Sequence, residues 1–371
     1  MIERVDDAAG FAALRGEWNG LLARSAASSP FLTWEWQYEW WRHLGGGLRL
    51  EILAVRQAGR LVGLAPLFER GREPRRLRLV RYVSFVGSPM PIGNAGSDYL
   101  DFITDPQAPR ALDEVASALA SRGCVLELAQ VAAEGSSARG VAERLKAEHW
   151  GLERHRGDVC PWIDLSGHTW DSYLATRGGE HRYAVQRKLR KVRRDFDVRF
   201  DRVETEAERS AALGQLIDLH ERRWRDNGDS DAFHTPALRA FHDAFTRHAL
   251  EQGWLRLYVL RLDGAPAAAF YALRHGETFY FFQSGFDPAY GRHSVGLVAM
   301  ALSVEAAIEE GALRYDMLHG SEEYKFHWAN ATRPLERYVL YPNRVHGAMA
   351  RGLAGVYAAV APMARRVLQS E

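Results

Sequence analysis

The sequence predicts an α/β fold with a mixed sheet, laid out as two tandem, duplicated modules in a chain of 371 residues. Three observations carry this. Two hairpin signals with a glycine in the turn stand about 200 residues apart. In each half a later strand closes at an Asp-Pro, Asp105-Pro106 and then Asp287-Pro288, and a helical stretch follows. The order helix, helix, strand, strand, strand, helix, strand thus occurs twice, which a single shared hairpin would not produce.

The first half opens on the aromatic-rich amphipathic helix FLTWEWQYEWWRHL (31–44). In RLEILAVRQAGRLVGLAPL (49–67) a strand over 51–55 meets a turn at Gln57-Ala58-Gly59 and a second apolar run over 61–68. Glycine reaches positive φ without steric cost, so this reads as a hairpin. YLDFITDP predicts the third strand, residues 110–119 a helix, and VLELAQV a strand from Val125. In the second half LGQLIDLHERRW and PALRAFHDAFTRHAL take the place of the first helices. WLRLYVLRLDGAPAAAFYAL repeats the hairpin around Asp263-Gly264, FYFFQSGFDP supplies the next strand, and a helix over 294–310 ends at Gly311 before a strand from Leu313. The expected modules are 1–160 and 161–342, followed by a helical tail at 343–371.

Composition narrows the classes. At 47% hydrophobic and 26% charged the chain can bury a sizeable core, and a net charge of +1 argues against a general nucleic-acid binder. Cys124 and Cys160 make neither a disulfide framework nor a CxxC metal cluster. The start MIERVDDAAG lacks the basic-then-apolar build of a signal peptide, so the expected location is cytoplasmic, with peripheral contact to the inner face of the membrane left open.

Two stretches carry a family resemblance: SGFDPAYGRHSVGLVAMALSVEAAIEEGA (284–312) and YDMLHGSEEYKFHW (315–328). With the surrounding element order they resemble the GNAT acyltransferase superfamily. The likeness is nearest to the double-GNAT, BioF2-like (CelD/BcsL-type) group, and more distant to Fem-type transferases. The resemblance implies transfer of an acyl group from acyl-CoA, or from an acyl-carrier protein, to an amine, with no metal and no covalent intermediate.

The residues suit that chemistry. A helix N-terminus presents unpaired N–H groups and partial positive charge, which favours a pyrophosphate. Gly285, Tyr290, Gly291, Arg292, His293, Ser294, Val295 and Gly296 are the expected donor-binding set, with Ser294 as N-cap and Arg292 and His293 adding charge. The first half has no glycine at the matching turn, so one donor site is expected, in the second half. Acyl transfer to an amine needs a base for the ammonium, donors for the oxyanion and a proton for the leaving thiolate. Asp316, His319, Glu322, Tyr324 and Lys325 fall within ten residues. Glu322 and Lys325, three apart on a helical turn, are the leading catalytic candidates; a surface ion pair is the plainer alternative. His319 is a candidate base, Tyr324 a proton donor, and Asp316 an orienting group. Backbone amides near 282–285 are the expected oxyanion donors, and Asp98 is expected to hold a cationic acceptor.

RGGEHRYAVQRKLRKVRRDF (177–196) reads as an amphipathic basic helix with Val185, Leu189, Val192 and Phe196 as its apolar stripe. A solvated face, an anionic partner (an acyl-carrier protein, CoA phosphates or a membrane surface) and tRNA all remain open for it. The tail adds Arg344, Arg351, Arg365 and Arg366 along an apolar run, suited to a docked or interfacial helix. The expected function is therefore an N-acyltransferase. Its acceptor is a long-chain amine such as a sphingoid base, or an amino sugar, in lipid or exopolysaccharide biosynthesis. The alternatives are a Fem-like aminoacyl-tRNA-dependent transferase and a non-catalytic scaffold of an envelope assembly complex.

Overall fold

The computed structural model describes residues 1–70, 81–89, 95–224, 232–343, 347–348 and 351–352; nearly all of the expected 343–371 tail, with Arg344, Arg365 and Arg366, lies outside them. The first half comprises β1 (Ile2–Val5), α1 (Ala8–Ala13), α2 (Arg15–Arg24), α3 (Trp34–Leu44), β2 (Arg49–Leu50), β3 (Ile52–Gln57) and β4 (Arg60–Ala65). It continues through β5 (Leu67–Glu69), β6 (Tyr82–Phe85), β7 (Ile103–Thr104), α4 (Arg110–Arg122), β8 (Val125–Ala132), α5 (Ser137–Ala147) and β9 (Gly151–Asp164). The second half begins with α6 (Trp170–Ala175), α7 (Gly179–Asp195), β10 (Val198–Arg202), α8 (Glu206–Trp224) and α9 (Pro236–Glu251). There follow β11 (Leu255–Leu262), β12 (Ala265–His275), β13 (Thr278–Phe286), a 3-10 turn Pro288–His293, α10 (Val295–Glu309), β14 (Arg314–Asp316), α11 (Glu323–Trp328) and β15 (Ala331–Tyr341).

The two halves repeat their pairings. β1 pairs with β3 and β3 with β4, as β10 pairs with β11 and β11 with β12, all antiparallel. β6 lies parallel to β8, as β13 lies parallel to β14. The final strands are exchanged. β15, from the second half, pairs with β8 of the first, while β9 of the first half pairs with β14 of the second. β9 and β15 also pair along their length, from Gly151 opposite Tyr341 to Trp162 opposite Ala331. An eleven-stranded sheet results, beside a four-stranded sheet of β1, β3, β4 and β7. The expected boundary at 160/161 falls inside β9.

The third strand is where the halves differ. β13 pairs with β12 along its whole length, with one bulge at Phe282, from Thr278 opposite His275 to Phe286 opposite Ala268. In the first half the strand expected from YLDFITDP is reduced to β7, because residues 95–102, before it, lie outside the sheet. That stretch is not loose. Ala95, Leu100 and Phe102 are buried, and the Leu100 amide donates to the Gln130 carbonyl (2.9 Å), on the edge of β8 that β6 has left. Apolar burial together with a backbone hydrogen bond makes it a packed insert.

Helices from both halves lock across the core. α3 starts at the Thr33 cap and α9 at Thr235 with Pro236 in its first turn, a favoured helix opening. Trp36, fully buried, meets Phe241 and Phe245 edge-on at centroid distances of 4.9 and 4.7 Å. Glu39, 1% exposed, accepts from His248 Nε2 (3.2 Å). The hydrogen bond to Glu39 holds the His248 imidazole above its usual pKa. A base raised on folding stabilises fully below its unfolded value near 6.5 and loses that contribution as pH rises through its folded value. His248→Ala should therefore cost about 1 kcal/mol at pH 6 and clearly less at pH 8.5, read from urea unfolding at the two pH values.

Candidate active site

β13 and β14 pair over only three residues, Thr278–Tyr280 against Arg314–Asp316, and then part. A register shift in the β12 pairing leaves Phe282 unmatched, between Gln283 opposite Tyr271 and Phe281 opposite Ala272. A cavity of about 300 Å³ opens in the gap, with Phe281, Phe282 and Gln283 on one wall and Met317, Leu318 and His319 on the other. His242 of α9 and Glu322, Tyr324 and Lys325 complete its polar lining.

The centre of the site joins residues far apart in the chain. Asp98, fully buried within the first-half insert, accepts from the His319 backbone amide (2.8 Å) and faces His319 Nδ1 at 2.9 Å with both oxygens. Gln130 Nε2 also donates to it, at 2.8 Å. A carboxylate so placed fixes the proton on Nδ1 and leaves Nε2 with its lone pair, without a protein partner among the described residues. The Asp98 charge raises the His319 pKa above its ordinary value, against the opposing effect of burial. Asp98 was expected to hold an acceptor amine directly. It does not line the cavity, and its oxygens are taken by His319 and Gln130.

Asp316, at the end of β14, accepts two hydrogen bonds. Tyr99 donates its hydroxyl to it (2.7 Å), and the Leu318 amide donates at 2.8 Å. Burial pushes the Asp316 carboxyl up to about 6. The Cys160 thiol also reaches this cluster, 3.9 Å from Asp98, and burial raises its pKa, so it stays protonated. Tyr99, Gln130 and Leu318, which surround this cluster, are all left-handed, with φ of 55, 57 and 55°. Such strain in non-glycine residues persists where the surroundings over-determine the conformation.

Glu322 and Lys325 form the expected i,i+3 pair at 3.1 Å, and Lys325 Nζ also donates to the His319 carbonyl at 2.6 Å. Lys325 is 4% exposed, so both ends of the contact brace the loop bearing His319. Gly320, at φ +127°, allows this closure: a Cβ there would run into the Glu322 carboxylate. Burial lifts the Tyr324 phenol to about 12, so it keeps its proton at neutral pH.

The expected donor-binding residues lie past the far end of β13 and do not line this cavity. Tyr290–Gly296 is mostly accessible, with Gly291 and Arg292 exposed and only Val295 buried. Ser294 occupies the N-cap position of α10 in a left-handed conformation (φ 53°), and its side chain makes no capping bond. Among the described residues the Val295, Gly296 and Leu297 amides donate to nothing in the protein. α7 packs beside this turn, where Lys188 Nζ donates to the Arg292 carbonyl (3.0 Å) and His293 faces Asp195 (3.4 Å). Gly285 belongs elsewhere: a Cβ on it would fall 2.4 Å from the His220 nitrogen, so its bareness serves the contact between β13 and α8.

Residues 179–326 match the family model described as an acetyltransferase (GNAT) domain. That stretch, from the start of α7 into α11, is similar to a GNAT acetyltransferase domain. The search of curated proteins returned no match. Among solved structures the chain resembles FemX, at 12% identity and a TM-score of 0.61, over 87% of this chain and 95% of that one. It also resembles the C-terminal domain of a putative lysylphosphatidylglycerol synthetase from Agrobacterium fabrum, at 14% identity and 0.55, over 94% and 96%. L-PGS from Bacillus licheniformis aligns at 11% identity and 0.53, over 93% and 96%. At these identities the likeness is one of fold. It extends beyond residues 179–326 into the first half.

Sequence reasoning missed His242, Gln130 and Tyr99. His242 adjoins the apolar stripe of Leu238, Phe241, Phe245 and Ala249 on α9 and carries no signal of its own. It is 1% exposed, its Nδ1 has no hydrogen-bond partner, and burial pushes its pKa down to about 3. The cavity therefore presents a neutral imidazole there. For the Asp98–His319 pair the expected titration is specific. His319 followed by NMR should titrate above 6.5, and Asp98→Asn should move it down, since the charge favouring the imidazolium is gone. An unchanged midpoint would show that Asp98 does not govern the imidazole.

Proposed function

We propose that the chain is an N-acyltransferase that moves an acyl group from acyl-CoA, or from an acyl-carrier protein, to a primary amine held in the cavity. The observation that carries this reading is the His319 imidazole, held on Asp98 by Nδ1 and offering Nε2 to a cavity where two parallel strands diverge. His319 Nε2 takes a proton from the substrate ammonium. The amine nitrogen attacks the thioester carbonyl, the C–N bond forms and the C–S bond breaks. Tyr324 supplies the proton to the leaving thiolate and is restored by the second proton, which the nitrogen sheds on becoming an amide, while the proton held on His319 passes to solvent. Amides around the unmatched Phe282 are the oxyanion donors. Lys325 and Glu322 position His319 by holding its carbonyl and loop.

The turn at Tyr290–Gly296 fits a pyrophosphate. Free first-turn amides, an accessible glycine and the cations Arg292 and Lys188 meet there. The matching gap in the first half is filled by residues 95–102, which supports a single donor site. We place the chain with BioF2-like proteins of lipid or exopolysaccharide biosynthesis, acting on a long-chain amine or an amino sugar. An orphaned ring nitrogen on His242 favours an acceptor with a further hydrogen-bonding group, such as a hydroxyl beside the amine.

A mass-spectrometric screen of acyl-CoAs against amino sugars and long-chain amines tests the reading. Product formed only from charged tRNA would replace it with a Fem-like reaction, and no calorimetric acyl-CoA binding would favour a scaffold. In the active pair His319→Ala should lower kcat by about 10²- to 10⁴-fold, and should also lower the melting temperature because the buried Asp98 carboxylate loses a partner. The wild-type rate should fall on the acid side as His319 protonates, with a midpoint above 6.5. A Cβ at Gly296 would sit 3.1 Å from the Phe286 ring. Gly296→Val should accordingly raise the acyl-CoA dissociation constant by about tenfold or more in calorimetry, an effect worth about 1.4 kcal/mol.

A further inference from the structure

α7 carries seven cations against two acids, a net +5 in a chain whose total is +1. Its buried positions are Val185, Leu189 and Val192, as the apolar stripe predicts, while Phe196 follows the helix end. The cations separate into two sets. Lys188 and Lys191 are half-buried, Lys188 against the donor-side turn. Arg182, Arg187, Arg190, Arg193 and Arg194 lie on the opposite, exposed face.

The outer set has almost no internal use. Arg194 pairs only with its neighbour Asp195, and among the described residues the other four form no ion pair. Elsewhere the chain pairs such groups, as in Arg209 with Glu206 and Asp243. Like charges three and four apart on a helix repel. They form an exposed row about 18 Å long, at 1.5 Å per residue, in which only Arg193, near Glu305 of α10, and Arg194, on Asp195, meet acidic groups of the fold. It suits a flat array of anions. Exposed rings accompany it: Tyr183, 59% exposed beneath the Arg187 guanidinium, and Tyr324 and Phe326 of α11, 36% and 42% exposed. α11 abuts α7 where His181 packs on His327 and Trp328, at 5.5 and 4.7 Å. Tyr324 also lines the cavity.

We propose that this arginine row on α7, with the exposed rings of α7 and α11, seats the protein on an anionic phospholipid surface beside the cavity mouth. Arginines with aromatic side chains among them match the phosphates and interfacial zone of a bilayer. Delivery of an amphiphilic acceptor to the cavity rests on the acyltransferase reading; the docking does not.

The test is co-sedimentation of the full chain with vesicles of phosphatidylcholine containing phosphatidylglycerol, and with phosphatidylcholine alone. Binding is expected only to the anionic vesicles, weakening as salt is added. Combined Arg182→Gln, Arg187→Gln, Arg190→Gln and Arg193→Gln should lower vesicle affinity by at least about a hundredfold. Its acetyl-CoA affinity in calorimetry should not change. Phe326→Ser should give a smaller, salt-resistant loss. Absence of binding to anionic vesicles, equal binding to neutral ones, or full retention in the quadruple variant overturns the proposal. So does an arginine-dependent affinity for an acidic carrier protein or for tRNA without vesicle binding. Since sedimentation needs no turnover, loss of the enzymatic reading would leave this result standing.

Discussion

The structure depends on the exchange of the last strands. β15 lies between β9 and β8, and β9 between β14 and β15, so the sheet of each half is completed by the other. A strand edge left open is a row of unsatisfied N–H and C=O groups, and exchange satisfies both edges at once. The site follows from it. The first-half insert is brought against the end of β14, and Asp98 reaches a histidine 221 positions further along the chain. Neither half contains this pair alone.

Duplication with divergence explains the division of labour. Both halves part a parallel strand pair after three residues. In the second half the gap remains a cavity. In the first, residues 95–102 close the gap and carry Asp98 and Tyr99 across to the other half. The arrangement has energetic costs. A buried carboxylate needs full hydrogen bonding, which the His319 ring and amide and Gln130 provide. Three left-handed residues add roughly 1–3 kcal/mol each. The large shared core across α3 and α9 is what holds them in place.

Much of this was legible in the residues themselves. Glycine turns at Gly59 and Gly264 marked both hairpins, because φ beyond +80° at each is a local requirement. The i,i+3 spacing of Glu322 and Lys325 foretold their pairing, and the apolar stripe of α7 its buried face. The third strand of the first half was not legible. YLDFITDP has strand composition, yet its Tyr99 and Leu100, and Asp98 just before them, are used by tertiary partners outside the sheet. Composition is local, and burial against a distant element overrides it. Lys325 shows the same limit: spacing brought it to Glu322, but only the folded loop brought it to the His319 carbonyl.

By itself, then, the sequence determined the element order, its repetition, the turn chemistry and the cluster from Asp316 to Lys325, all consequences of short-range spacing and backbone sterics. Tertiary structure alone decided that terminal strands change places, that one strand gap stays open, and that Asp98 serves a histidine. Those outcomes depend on which distant surfaces bury each other, and hydrophobic burial and hydrogen-bond satisfaction are settled by the whole chain at once.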